Sequence, residues 1–314
     1  MTSIKYFVVL LIGTIAFYGS NGLAGDVNDV VKLLEAKINS ARIREYPPEI
    51  KIQGEQLINA DPCQILNLLG KYENDPCWIV REQTYRQEVY FAKMRSEPWI
   101  KQEVVYRLVK AFVDPNLELS GQAYTWLLTF TEKDFDNETK LIIRKAMGKP
   151  GKGTVLICGV ANIQDELPNL KKLLVDELEY QKRTGEPWWF QLSWYARIAR
   201  ARMGIKEDIK RCINLVESDK TRGIGVLTPL NEIGYIRQPE AIDFLKTYVF
   251  SDETIGQVKP TAPGEPVASY VMGILADCLE NFPIKKREER GYKQEEIELC
   301  RKWMSEQKEW KIIR

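Results

Sequence analysis

Apolar residues recur with a helical period along almost the whole 314-residue chain, and helix breakers interrupt that period at fairly regular intervals. Val104, Val105, Leu108, Val109 and Phe112 follow the i, i+3, i+4 spacing of one helix face. Leu170, Leu173, Leu174 and Leu178 do the same, as do Ile209, Ile213 and Val216, then Ile242, Leu245 and Val249. Between breakers such as Pro62, Pro76, Pro98, Pro168, Gly204, Gly234 and Pro239 lie segments of roughly 10 to 18 residues, the length of globular helices. Acidic residues precede Pro62, Pro76, Pro98, Pro187 and Pro266. A proline costs least in the first turn of a helix, where its missing N–H has no partner, and the acid complements the helix dipole. These signals predict about thirteen or fourteen short helices. No run alternates apolar and polar residues long enough to predict a sheet, so the fold class is all-α.

Three stretches share one design: a helix rich in small residues, a brief turn, then a helix with paired apolar positions. They span 156–175, 194–216 and 226–249, with turn cores ANIQDELPNL, ARMGIKEDI and NEIGYIRQPEAI. The apolar anchors Leu170, Ile209 and Ile242 lie 39 and 33 residues apart, within the range of helical-pair repeats. On these units the chain resembles HEAT-repeat (armadillo-type) proteins. The units share pattern more than identity, and the family's usual Asp and Arg positions are filled inconsistently. The resemblance implies a right-handed α–α superhelix of about six to seven helical hairpins over residues 55–283. A helix and linker precede it at 25–54, and a capping helix follows at 284–314, with Trp303 closing the last repeat. One helical pair cannot bury its apolar face alone, so neighbours must stack. The resemblance further implies a concave surface that binds a protein partner.

Residues 1–24 carry a short positive start (Lys5), an uncharged apolar run at 7–18, and small residues Gly22 and Ala24 before a polar stretch. The run falls short of the roughly 20 residues that span a bilayer. This is the pattern of a cleaved signal peptide, with an uncleaved N-terminal anchor as the alternative. The expected location is periplasmic or extracellular, with no membrane span after cleavage. Six cysteines occupy such a chain: Cys63, Cys77, Cys158, Cys212, Cys278 and Cys300. In an oxidising compartment Cys63 with Cys77, or Cys278 with Cys300, could pair across a helical hairpin. Buried free thiols are the equal alternative.

Histidine is absent. That removes Ser-His-Asp and Cys-His catalysis and imidazole metal sites, and no cofactor motif is present. Lys plus Arg number 45 against 44 Asp plus Glu, so the basic excess of a nucleic-acid binder is missing. The acid pairs Asp134/Asp136, Asp165/Glu166 and Asp176/Glu177 are too close along a helix to converge as a glycosidase needs. They read as solvated surface acids.

The densest aromatic cluster is Trp188, Trp189, Phe190, Trp194 and Tyr195, followed by Arg197, Arg200 and Arg202. Successive helical residues point about 100° apart, so at least one of the first three must reach the surface. Trp188, Trp189, Arg197 and Arg200 are candidate partner contacts, weighed against core packing beside a solvated basic face. The irregular segment 251–266 adds Lys259 and Glu265 as candidates. Arg81, Tyr85 and Glu88 share a helix face without a second aromatic, and Glu82 with Arg86 forms an i, i+4 pair. The expected function is non-enzymatic partner binding or scaffolding. A carbohydrate-active α/α enzyme using Glu or Asp, or a structural subunit of an envelope complex, are the alternatives.

Overall fold

The computed structural model describes residues 27–43, 54–114, 116–218, 227–255, 265–286 and 291–314. The expected signal peptide (1–24), part of the linker after it and Lys259 lie outside the described residues. The fold is all-helical. Its helices are α1 (Val27–Ser40), α2 (Gly54–Asn59), α3 (Pro62–Gly70), α4 (Trp78–Met94), α5 (Pro98–Phe112) and α6 (Leu117–Leu127). There follow α7 (Asn137–Ala146), α8 (Lys152–Val160), α9 (Leu167–Lys172), α10 (Glu177–Thr184) and α11 (Leu192–Arg202). The last five are α12 (Lys206–Ser218), α13 (Leu227–Ile236), α14 (Pro239–Val249), α15 (Val267–Cys278) and α16 (Gln294–Glu306). The excess over the sequence expectation comes from pieces such as the six-residue α2 and α9. They are too short to show a full period.

Local chemistry sets the helix ends. Asp61 caps α3 by accepting from the Cys63 N–H at 3.0 Å, with Pro62 at the first helical position. Asn116, Asp136 and Asp176 cap α6, α7 and α10 in the same way. The expected start at Asp75-Pro76 is displaced: α4 begins at Trp78, and Asp75 accepts from the Cys77 N–H at 2.9 Å. Helices α8 and α11 close with paired C-cap bonds in which Ile163 N–H reaches Cys158 O and Ile205 N–H reaches Arg200 O. That closure needs a left-handed residue, and Asn162 (φ 50°) and Gly204 (φ 92°) supply it. Arg237 (φ 50°) and Asn281 (φ 58°) hold the same conformation just beyond α13 and α15. The first three fall inside the turn cores singled out from the sequence.

Packing follows chain order. One row of helices is formed by α4, α6, α8, α11, α13 and α15, each against the next. On its other side α5 packs on α7, α12 on α14 and α14 on α16. Pairs such as α4 with α5, α7 with α8, α11 with α12, α13 with α14 and α15 with α16 join the rows. Among the described residues no substantial helix–helix packing joins elements more than three apart in chain order. The N-terminal α1, α2 and α3 lie against α4. A single apolar core runs from Val30 to Met304 and contains the anchors Leu170, Ile209 and Ile242. Polar links join positions 32 to 38 residues apart in sequence: Arg81–Asp114, Tyr106–Glu138, Arg202–Tyr235 O and Trp194–Glu232.

Two details depart from expectation. Segment 251–266 is pinned at its ends by a two-residue antiparallel pair, β1 (Thr254–Ile255) and β2 (Glu265–Pro266), which puts Glu265 opposite Ile255. The C-terminus is also not helical throughout. After α16 the chain returns, Leu279 bridges Ile312, and Ile313 N–H reaches Cys278 O. Trp303 packs edge-to-face on Phe282 at 5.5 Å and lies 6.3 Å from Trp310.

All six cysteines are free thiols, so neither expected disulfide, Cys63 with Cys77 or Cys278 with Cys300, is formed. Cys278 instead donates to Gly234 O at 3.2 Å. Burial pushes the Cys278 thiol up to about 11 and the Cys300 thiol up to about 12, which leaves both as inert small hydrophobes.

Candidate functional site

The aromatic cluster folds at the entry to α11. Pro187 leads into a one-turn 3-10 helix at Trp188–Phe190, and Trp194 follows on the first turn of α11. The Trp188 ring stands edge-on to Trp194 at 4.6 Å and to Trp189 at 5.2 Å. Trp188 and Trp189 are buried, whereas Phe190 is 66% exposed. The requirement that one of the three face solvent is met by Phe190. Trp188 and Trp189 are therefore core side chains, and Phe190 is the exposed member of the three.

Arg197 and Arg200 do not form a solvated basic face. Arg197 Nε donates to Glu177 Oε1 at 2.8 Å and its Nη1 to Asp208 Oδ1 at 2.9 Å. Arg200 Nε donates to Asp208 Oδ2 at 2.7 Å. Glu177 is fully enclosed and also accepts from the Ser193 hydroxyl at 3.0 Å. These groups tie α10, α11 and α12 together. The reading of the acid pairs as surface groups is likewise corrected for one member of each: Asp134, Glu166 and Glu177 are buried. Asp134 closes a capping box with Thr131, and Glu166 accepts from Asn169 at 2.9 Å. Their partners Asp136, Asp165 and Asp176 stay at the surface, as capping or pairing groups.

Between α8, α11 and α13 a second cluster surrounds Glu232. The Trp194 indole N–H donates to one carboxylate oxygen, and the Lys152 ammonium stands 3.5 Å from the other. Lys152 also donates to the Tyr195 hydroxyl at 3.0 Å and lies over its ring. Burial pushes the Glu232 carboxyl up to about 7, against the opposing pull of Lys152 and the hydrogen bonds it accepts. A carboxyl poised there can hold or release a proton near neutrality. It is also the one carboxylate in that hydrogen-bonded cluster, and it is almost closed to solvent. Burial and the charge of Glu73 push Glu88 on α4 up to about 8, with Arg107 opposing at 3.0 Å. Sequence reading passed over Lys152 and Glu232. A lone acid inside the apolar run LTPLNEIGYI was the available signal.

Raised folded-state values have a definite consequence for stability. A carboxyl raised from about 4.5 binds more protons folded than unfolded, so stability falls as pH rises from 4.5 through the folded value. The window closes near 8 for Glu88 and near 7 for Glu232. Thermal melts should therefore show the midpoint rising as buffer pH goes from 8 to 6, by an amount worth on the order of 2 kcal/mol. The slope should flatten in Glu88→Gln. A midpoint that falls over that range in the parent chain contradicts the assignment.

Among the described residues no group of three or more Cys, Asp or Glu side chains is placed to hold a metal ion, and no helix is long and apolar enough to cross a membrane. Comparisons with protein-family models, with curated proteins and with solved structures find no match.

Proposed function

We propose that this chain is an exported, non-enzymatic scaffold whose helical hairpins stack as a right-handed, HEAT-like superhelix and bind a protein partner. Neighbour-only packing in two rows and the recurrent left-handed turn after the first helix of a pair support the stacked reading. The observation that carries partner binding is the distribution of exposed apolar side chains. Val113, Leu117, Val175, Phe190 and Phe250 are all exposed, Leu117 to 85%. They are five of the nine large apolar side chains exposed among the described residues, and each lies at a connection between α5 and α6, α9 and α10, α10 and α11, or α14 and α15. In an antiparallel stack such connections share one edge, and apolar exposure gathered on an edge is the mark of a contact surface. The concave side implied by the HEAT resemblance borders that edge.

The enzyme reading rests on Glu232 and its proton near neutrality. A single enclosed carboxylate favours it less, because glycosidic cleavage uses two carboxylates flanking the bond.

The test uses the whole chain as bait in an envelope extract, with mass spectrometry of what is retained. One defined partner should be held by the parent chain and lost from Leu117→Ser/Phe190→Ser, while circular dichroism stays unchanged. Equal retention by the variant, or release of sugars from polysaccharide that Glu232→Gln abolishes, overturns the reading.

A further inference from the structure

The opposite edge, where the first helix of each pair turns into the second, is built differently. A cavity of about 190 Å³ crosses the turns that follow α8, α11 and α13. Its walls include Asn162, Gly204 and Arg237, the three left-handed turn residues, together with Arg202, Gln238 and Arg314. That volume equals the share of about six water molecules, enough for a small hydrated anion.

Two guanidinium groups on this wall stand out electrostatically. Arg197 and Arg200, on the same helix as Arg202, are both neutralised by buried carboxylates. Arg202 has no carboxylate within 4.0 Å among the described residues, nor has Arg237. Arg202 lies over the Tyr235 ring, 4.6 Å from its centroid, and one of its amino groups donates to Tyr235 O. Arg237 donates Nη1 to Ile313 O at 2.7 Å. Burial holds the Arg202 guanidinium below its ordinary value, and the Arg237 charge adds to this against the opposing pull of Tyr235, Cys278 and Glu132. Each guanidinium has five N–H donors in a fixed fork, and both residues line the cavity. The acid on the wall, Glu132, is exposed and is engaged by the Asn162 amide at 2.9 Å. Arg314 also lines the wall, its guanidinium offset by its own main-chain carboxylate. The charged lining side chains are three arginines against Glu132 in a chain that is nearly neutral overall.

We propose that this cavity binds a tetrahedral oxyanion of the phosphate or sulfate class, clamped between Arg202 and Arg237. Arg202 ends α11 and Arg237 follows α13, so successive helices bring the two cations to one wall. A planar carboxylate satisfies one guanidinium fork, whereas a tetrahedral dianion presents oxygens to both. This site is independent of the apolar edge and stands whether or not a protein partner binds there.

Isothermal titration of the whole chain with inorganic phosphate, sulfate and acetate at constant ionic strength tests it. Phosphate and sulfate should bind one to one with Kd tighter than about 1 mM, and each should raise the thermal midpoint. Arg237→Gln and Arg202→Lys should weaken binding at least tenfold. Arg144→Gln, in the separate cavity between α7 and α9, should leave it unchanged. If Arg202→Lys fails to fold by circular dichroism, Arg237→Gln decides alone. No heat with phosphate or sulfate at about 10 mM, binding that Arg237→Gln leaves intact, or acetate binding as tightly as phosphate each overturns the proposal.

Discussion

Arg197→Ala is expected to lower the unfolding free energy by about 3–5 kcal/mol. The arginine is the shared donor between two carboxylates that water barely reaches, with Glu177 side-chain exposure at 0% and Asp208 at 3%. Truncation leaves Glu177 with Ser193 and a distant Arg211 at 3.6 Å, and leaves Asp208 to Arg200 alone. Uncompensated buried charge is the costly outcome, well above the modest net value of the intact pairs. Lysine at 197 should recover only part of the loss, since one ammonium cannot reproduce the two-way fork. The internal contrast is Arg86→Ala, which breaks the solvent-facing pair with Glu82 and should cost no more than about 0.5 kcal/mol. Urea denaturation with an unchanged slope measures both. A loss under about 1 kcal/mol for Arg197→Ala contradicts the buried-network account.

Gly159→Ala should cost about 2–3 kcal/mol through a different mechanism. A Cβ built there meets Ala199 Cα at 2.9 Å, Ala199 Cβ at 3.0 Å and the Tyr235 hydroxyl at 3.1 Å. Two of those atoms belong to the body of α11, so the helices themselves must separate. Gly121→Ala on α6 makes the sign test. Its Cβ meets nothing within 4 Å, and the site is exposed, so better helix propensity should stabilise the chain by up to about 1 kcal/mol. Two glycine-to-alanine changes in one protein should thus move the melting midpoint in opposite directions.

Much of the architecture was legible in the chain because it is carried by local signals. The period that buries Leu170, Ile209 and Ile242, the Asp61-Pro62 start and the turn cores around Asn162, Gly204 and Arg237 all act within one or two helical turns. The aromatic cluster was partly legible: geometry required one of three successive aromatics to be exposed, but only packing could select Phe190. The polar interior was not legible. Glu177, Asp208 and Arg197 lie on three different helices, and Trp194 meets Glu232 across one repeat. Charge of that kind looks like solvated surface in one dimension, because its partners lie 11 to 38 residues away in sequence. The Arg202–Arg237 cavity has the same origin. It exists only when successive turns are laid side by side.

Small-angle X-ray scattering of the purified chain probes the stack as a whole. Six pairs advancing by the 8–10 Å spacing of packed helices give a body roughly 50–60 Å long. The pair-distance distribution should be skewed, with a long tail, and the radius of gyration should exceed the value of about 19 Å for a compact chain of this size. A symmetric distribution with a radius at that compact value would contradict the stacked-hairpin account.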